Sequence, residues 1–171
     1  AGVERQAVIE VAGRALMANP EGEEGDRPVY PPKLWEPYRS RRFKIGEDMY
    51  ALLGLARDDK RARLAWVSRN FEFFGAPVAM FVFVHRGLRE YGVLDAGILL
   101  QSLMLSAQAR GLAACAQGAL ATWAWPARRA FAVPAEYGLV CGLALGYASD
   151  HPVNAFDPGR LPASELALAP R

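Results

Sequence analysis

Only a few side chains in this sequence could bind or react, and each also has a structural interpretation. Asp58 and Asp59 could serve acid–base chemistry as a carboxylate pair, but they precede a helical pattern, where aspartate caps the helix N-terminus. A basic run could bind a phosphate, although charge runs at loop–helix junctions are common on solvated surfaces. That run consists of Arg39, Arg41, Arg42 and Lys44.

The cysteines and histidines do not indicate a metal site. Cys115 and Cys141 lie far apart and form no CxxC pair, so neither a disulfide framework nor a zinc site is expected. Both are expected to behave as small, buried apolar residues. His85 and His151 are the only histidines, which is too few for a histidine-rich metal site. We expect His85 to be a surface residue.

Apolar patterns predict the elements that must position these residues. Residues 78–84 and 139–147 are continuous apolar runs, which predicts two buried strands. Gly142 and Gly146 lie in the second run and favour close approach of another backbone or of a flat ligand. Residues 115–118 are predicted to form a turn. Helices are predicted over residues 3–17, 45–55, 58–74, 95–110 and 126–132.

The helix at residues 95–110 is apolar around nearly its whole circumference and must therefore be buried on all sides. A domain this small can hardly wrap a helix completely, so we expect a second subunit to supply part of the cover. Together the elements predict an α+β fold of three layers, with the sheet between helices.

Composition limits the class of protein. The chain has 171 residues, of which 52% are apolar and 22% charged, a balance that suits one folded domain. The net charge of +2 is too small to predict binding to nucleic acid or to an anionic membrane surface. The most apolar long segment, residues 96–125, is interrupted by polar side chains, and residues 1–10 lack the apolar stretch of a signal peptide. A cytoplasmic location is therefore expected.

Several short segments, taken in order, resemble the FMN-dependent nitroreductase family. Each is weak alone, but their order and spacing extend the resemblance from Trp35 to Glu165. The segments are RNFEFFGAPV at 69–78, LDAG at 94–97, QSLML at 101–105 leading to RGL at 110–112, CAQG at 115–118, VCGLALGY at 140–147, PVN at 152–154, and Arg160.

The resemblance implies a three-layer nitroreductase-like fold with a central, mainly antiparallel sheet flanked by helices. It also implies a homodimer with FMN at the subunit interface. Such enzymes reduce nitroaromatics, quinones or other small aromatic acceptors by a ping-pong cycle, with NADPH or NADH as the electron donor. The chemistry belongs to the flavin, so no protein residue is expected to be catalytic.

The resemblance also implies site residues. Ala116, Gln117 and Gly118 would contact the isoalloxazine, with backbone N–H groups facing the ring where negative charge develops on reduction. Arg160 would pair with the FMN phosphate, which suits a fork-shaped cation. Residues 30–74 correspond to the part that shapes the acceptor pocket. Four aromatic residues there either stack on the acceptor or pack in the core: Trp35, Tyr38, Phe43 and Tyr50.

The sequence departs from the family in one respect. It contains neither the Arg-x-Ser-x-Arg segment that grips the FMN phosphate nor the Pro-Ser-x-x-Asn-x-Gln-Pro-Trp segment that lines the flavin. Residues 1–171 are therefore predicted to form one family domain that is incomplete at its N-terminus, with an extended arm over residues 148–171. Either the chain is a fragment, or these residues have been lost.

Two alternatives stay open, and the departure motivates the first of them. In the first alternative, the chain is a non-catalytic or truncated remnant that acts as a dimeric binding or scaffold protein. A third possibility is different flavin chemistry, such as dehalogenation or flavin destruction.

Overall fold

Three antiparallel strands form the sheet in the computed structural model, which describes residues 2–19, 31 and 33–167. They are β1 (Val78–His85), β2 (Ala113–Gln117) and β3 (Tyr137–Gly146), and β3 lies in the middle. The apolar runs predicted β1 and β3. The sequence did not predict β2, because AACAQ has mostly small side chains and no β-branched residue. This segment becomes a strand by pairing with β3. The predicted turn at 115–118 is therefore wrong for its first three residues, which end β2.

Six α-helices are present among the described residues, together with several short 3₁₀ segments. The helices are α1 (Gly2–Ala18), α2 (Tyr38–Leu52), α3 (Lys60–Ser68), α4 (Arg89–Gln108), α5 (Trp125–Phe131) and α6 (Ala163–Leu166). α2 begins earlier than predicted, because the basic run continues the helix. α3 ends earlier than predicted, and a 3₁₀ segment follows at Arg69–Gly75.

The sheet lies between two helical layers. Successive side chains of a strand point to opposite faces, and β1 directs Phe81 towards the α1 side and Val82 towards the α4 side. On the α1 side, Val8 and Ala12 pack into a cluster with Phe73 and Ala144. The cluster on the α4 side contains Leu100, Cys141 and Leu143. The predicted α+β fold of three layers around a central antiparallel sheet is thus confirmed.

Register between β1 and β3 shifts once. Val82 pairs with Cys141 and Phe83 pairs with Leu139, so Val140 is an extra residue in β3. Such a bulge reverses the alternation of faces. Leu139 therefore packs with Phe83 and the segment after β2, whereas Cys141 packs with α4.

The described chain separates into two compact units. The first comprises Ala1–Leu34 and Lys60–Ala148 and contains the sheet, and the second comprises Trp35–Asp59 and Ser149–Arg171. The second unit holds α2, a 3₁₀ segment at Pro152–Ala155 and α6. Whether residues 1–171 form one family domain with an arm at 148–171 stays a prediction. Within residues 30–74, which the resemblance assigns to the part that shapes the acceptor pocket, positions 30 and 32 lie outside the described residues.

Candidate functional site

The candidate site residues Ala116, Gln117 and Gly118 are consecutive where β2 ends. Ala116 and Gln117 are the last residues of the strand, and Gly118 begins a 3₁₀ segment, Gly118–Trp123. Within the described sheet, β2 pairs only with β3. An edge strand presents main-chain N–H and C=O groups along its free side. The end of β2 can therefore offer main-chain donors to a ligand.

The side chain of Gln117 points away from that free edge and into the protein. It is 1% exposed, the only polar residue among the buried set of the described chain. Its Nε2 donates to the main-chain oxygen of Asn70 at 3.0 Å and lies 3.4 Å from Asn70 Oδ1. Two facing oxygens assign the amide orientation, because the donor must face them. Its Oε1 is buried and has no hydrogen-bond partner among the described residues.

The side chain of Asn70 makes a further hydrogen bond, to α3. Its Nδ2 donates to the main-chain oxygen of Val67 at 2.9 Å, in the last turn of α3. An asparagine side chain bonded to a nearby carbonyl competes with further helical bonds. This contact coincides with the change from α3 to the 3₁₀ segment. Sequence periodicity alone could not find it, since residues 64–74 keep an apolar helical spacing.

The 3₁₀ segment ends in a strained turn. Phe73 and Phe74 have φ of 54° and 51°, in the left-handed region, and Gly75 follows at 84°. Non-glycine residues there cost of order 1–3 kcal/mol each and need support from their surroundings. Phe73 is fully buried and meets Phe81 edge-on, with 5.8 Å between ring centroids.

Arg5 of α1 supports the same turn. Its Nη2 donates to the main-chain oxygen of Glu72 at 3.0 Å, and its guanidinium carbon lies 5.8 Å from the Phe73 ring centroid. Its buried Nε has no hydrogen-bond partner among the described residues. A small cavity of about 160 Å³ lies beside these groups, and it is lined by Glu4, Arg5, Val8, Phe73, Ala79, Phe81 and Phe131.

The strand glycines approach protein side chains. A Cβ on Gly142 would lie 2.2 Å from Leu120 Cδ1, and one on Gly146 would lie 2.7 Å from Pro77 Cδ. Main-chain atoms come next, with the oxygen of Met80 3.5 Å from the Cβ on Gly142 and the Cα of Ala76 3.7 Å from the one on Gly146. The expected close approach of another backbone is therefore confirmed, and a flat ligand at these glycines stays a prediction.

Cys141 is buried and Cys115 is exposed. The prediction that both are buried is therefore wrong for Cys115, which lies on the edge strand β2. Removal of water from around each sulfur raises the pKa of both thiols. Among the described residues, no three side chains of His, Cys, Asp or Glu come together as a metal site requires.

Arg160 belongs to the second unit and is exposed. Its Nη1 donates to the main-chain oxygen of Gly159 at 2.7 Å. Asp157 accepts a hydrogen bond from the Gly159 N–H at 2.8 Å, which closes the turn that carries Arg160. Its remaining guanidinium N–H groups have no carboxylate within ion-pair distance in the described part of the chain.

The aromatic candidates also lie in the second unit. Trp35, Tyr38 and Phe43 are all more than half exposed, so core packing does not occupy them within the described residues. Trp35 and Tyr38 meet edge-on with ring centroids 5.6 Å apart, and Arg57 lies 4.9 Å from the Phe43 ring centroid. Tyr50 is half-buried.

The basic run is exposed on α2 and is partly neutralised. Arg39 pairs with Glu36 at 2.8 Å, and Lys44 pairs with Asp48 at 2.5 Å. Hydrogen bonds from Arg39 and Ser40 lower the pKa of the Glu36 carboxyl. The interpretation of this run as a solvated helical face fits these contacts better than a phosphate site.

α4 exposes an apolar face. Leu94 and Ile98 are each 60% exposed, and a groove of about 520 Å³ runs along the helix beside Gly97, Gln101 and Ser102. No described helix is both long enough and apolar enough to cross a bilayer. Contiguous exposed apolar surface is typical of interaction sites.

Solved structures share this three-layer α+β fold, which defines the class of protein. The structure of the FMN and NADPH-dependent nitroreductase NfnB from Sphigopyxis sp. strain HMH matches with a TM-score of 0.94 and 35% identity, over 99% of this chain and 77% of that one. NfnB from Mycobacterium smegmatis, solved in complex with NADPH, matches with a TM-score of 0.90 and 30% identity, over 99% and 76%.

The nitroreductase family model matches residues 31–147, and the chain belongs to this family. A 4-nitrobenzoate reductase of a Nocardioides strain is 40% identical over 71% of this chain and 51% of its own length. A nitrobenzene nitroreductase of Ectopseudomonas oleovorans is 31% identical over 98% of this chain and 72% of its own. The chain spans about half the length of the first two curated relatives.

Proposed function

We propose that two copies of this chain bind FMN and reduce nitroaromatic compounds, quinones or similar small aromatic acceptors in the cytoplasm, with NADPH or NADH as electron donor. Donor and acceptor would use the site in turn, in a ping-pong cycle. Membership of the nitroreductase family supports the proposal, as do relatives whose names specify nitroarene reduction. The carrying observation is the end of β2, where main-chain donors on a free strand edge adjoin a buried amide.

The donor set at this position fits a flavin ring. The N–H groups of Ala116, Gln117 and Gly118 lie on an edge strand and in the turn that follows it. Such preorganised donors stabilise negative charge at little reorganisation cost. The Oε1 of Gln117 has no hydrogen-bond partner within the described chain, but its side chain is buried, so the groups that can face a flavin here are main-chain groups. FMN, when bound, supplies the two-electron oxidation–reduction chemistry.

Arg160 is the proposed phosphate ligand. Its carbonyl contact to Gly159 uses one nitrogen and leaves the rest of the planar fork for oxygen acceptors. A guanidinium can bind a phosphate through two parallel hydrogen bonds, which lysine cannot reproduce. The compact turn around Asp157 and Gly159 restricts the backbone that carries it.

The apolar face of α4 is the proposed dimer surface. A chain in which α4 leaves Leu94, Ile98 and Leu105 at 60% exposure keeps a large apolar area in water. Covering that area with the same helix of a second copy would remove it from solvent on both subunits at once. A second subunit on this face agrees with the expectation from sequence that part of this helix is covered by another copy.

Titration with FMN tests the proposal directly. We expect quenching of flavin fluorescence, bleaching of the bound flavin by NADPH and recovery of its colour with a nitroarene. Arg160→Ala should weaken FMN binding by about tenfold or more, because a charged hydrogen bond is lost. Arg129→Ala, an exposed arginine of α5, is the matched control and should bind FMN normally.

Two outcomes would contradict the proposal. A colourless protein that ignores added FMN overturns it. If that protein is also a dimer, the result supports the alternative of a non-catalytic binding or scaffold protein. An equal loss of FMN affinity in Arg160→Ala and Arg129→Ala would contradict the role of Arg160 as phosphate ligand, but it would leave the rest of the proposal intact.

A further inference from the structure

We infer that the side chain of Gln117 is a positioning residue, which ties the end of β2 to Asn70 and so fixes the direction of the main-chain N–H groups at residues 116–118. The role of those N–H groups rests on the proposed function. The tie itself is a feature of this chain, since Gln117 Nε2 lies 3.0 Å from Asn70 O.

Strand geometry separates the side chain of Gln117 from its neighbours. Ala116 pairs with Leu143, and Gln117 pairs with Gly142, so the two side chains leave opposite faces of the sheet. The Gln117 side chain enters the layer that contains Asn70, and at 1% exposure it has no surface to offer a ligand. A ligand could therefore reach this residue only through its main chain, which lies in the edge strand β2.

Asn70 is a firm anchor because it is held independently of Gln117. Its side chain is bonded to Val67 in α3. Two residues further on, the main chain of Glu72 is held by Arg5 of α1, and Phe73 is fully buried. The carbonyl that receives Gln117 therefore lies in a segment fixed by two different helices.

The chemistry of the tie requires a donor at position 117. Removing the donor leaves the oxygen of Asn70 facing an apolar group, and a buried acceptor without a donor is destabilising. The end of β2 has no second strand on its free side among the described residues. We therefore expect loss of the donor to loosen this end first.

Three variants test the inference. Gln117→Leu removes the donor at similar size. Gln117→Glu makes the donor conditional, because a neutral carboxyl group can donate to Asn70 O and a carboxylate cannot. Gln6→Leu is the matched control, since Gln6 is an exposed glutamine of α1. The readouts are amide hydrogen exchange at residues 116–118 in the apoprotein, FMN affinity and the midpoint potential of bound FMN.

Gln117→Leu should speed exchange at residues 116–118 and weaken FMN binding by about tenfold, with a shifted potential. In Gln117→Glu, the same readouts should depend on pH. Burial beside two oxygens favours the neutral form of the introduced carboxyl group and raises its pKa. The tie is therefore kept at low pH and is lost as the pH rises through that raised pKa. Because this variant retains its donor at low pH, it tests the tie even if Gln117→Leu does not fold. Gln6→Leu should match the parent protein in all readouts.

The outcomes distinguish this inference from the proposed function. If the parent protein binds no FMN, the proposed function fails. Faster exchange than in the parent at the same pH, in Gln117→Leu or in Gln117→Glu at high pH, still supports the tie. Exchange at residues 116–118 that is unchanged in both variants overturns the inference. If FMN binds, an unaltered affinity and potential in Gln117→Leu also overturns it.

Discussion

The side chain of Leu120 lies over Gly142 of the central strand, so closely that a Cβ on the glycine would come within 2.2 Å of Leu120 Cδ1. Leu120 is 4% exposed and belongs to the cluster that joins α1 to the sheet. Gln117, directly across from Gly142 in β2, begins the path of the chain to Leu120. The absence of a side chain at position 142 therefore lets the segment after β2 pack onto the sheet.

Gly142→Ala should destabilise the fold by about 1–3 kcal/mol, because the added methyl displaces a buried leucine. Urea denaturation measures the loss. Gly13→Ala is the control, since nothing lies within 4 Å of a Cβ there and alanine favours a helix interior; it should stabilise by up to about 1 kcal/mol. A Gly142→Ala variant as stable as the parent would contradict the close packing.

Phe73→Ala should cost about 3–5 kcal/mol of unfolding free energy, because a fully buried ring that supports the strained turn is removed. Phe131 also meets Phe81, at 5.7 Å, but it is 50% exposed. Phe131→Ala should therefore cost clearly less in the same chemical denaturation experiment. Equal losses would show that burial does not distinguish the two rings.

Ile98→Glu should abolish the proposed dimer, because it places a charge in the middle of the apolar face of α4. Light scattering coupled to size exclusion measures the mass. Met17→Glu is the control, because Met17 is an exposed apolar residue of α1, off that face, with 83% exposure. A dimer that survives Ile98→Glu would place the subunit contact elsewhere.

Iodoacetamide should label Cys115 before Cys141, as measured by mass spectrometry of peptides, because only Cys115 is exposed. The thiolate is the reactive form, and both thiols have raised pKa values. Labelling should therefore be slow at neutral pH and accelerate as pH rises. Cys115→Ser should leave only the slow reaction until the protein is unfolded; rapid labelling of that variant in the folded state would contradict the burial of Cys141.

Several elements could be predicted from sequence because their signals are local. The apolar runs at β1 and β3 and the pattern of α1 each lie within one window of the chain. β2 could not be predicted, because its strand character comes from β3, which follows it in sequence. The end of α3 was also missed, since it depends on Asn70 rather than on the apolar spacing that continues to Phe74.

The sequence by itself determined the family and the three-layer fold, because ordered short motifs and apolar patterning are properties of the linear chain. It also predicts the candidate site at residues 116–118. Only the tertiary structure decided the hydrogen-bond partner of the Gln117 side chain. Asn70 is distant in sequence, and it contacts Gln117 because the layer that contains Asn70 packs against the sheet. Hydrogen-bond partners between layers depend on where whole elements come to rest. That arrangement turns the side chain of Gln117 into the interior, whereas the contact of its main chain with a flavin stays a prediction.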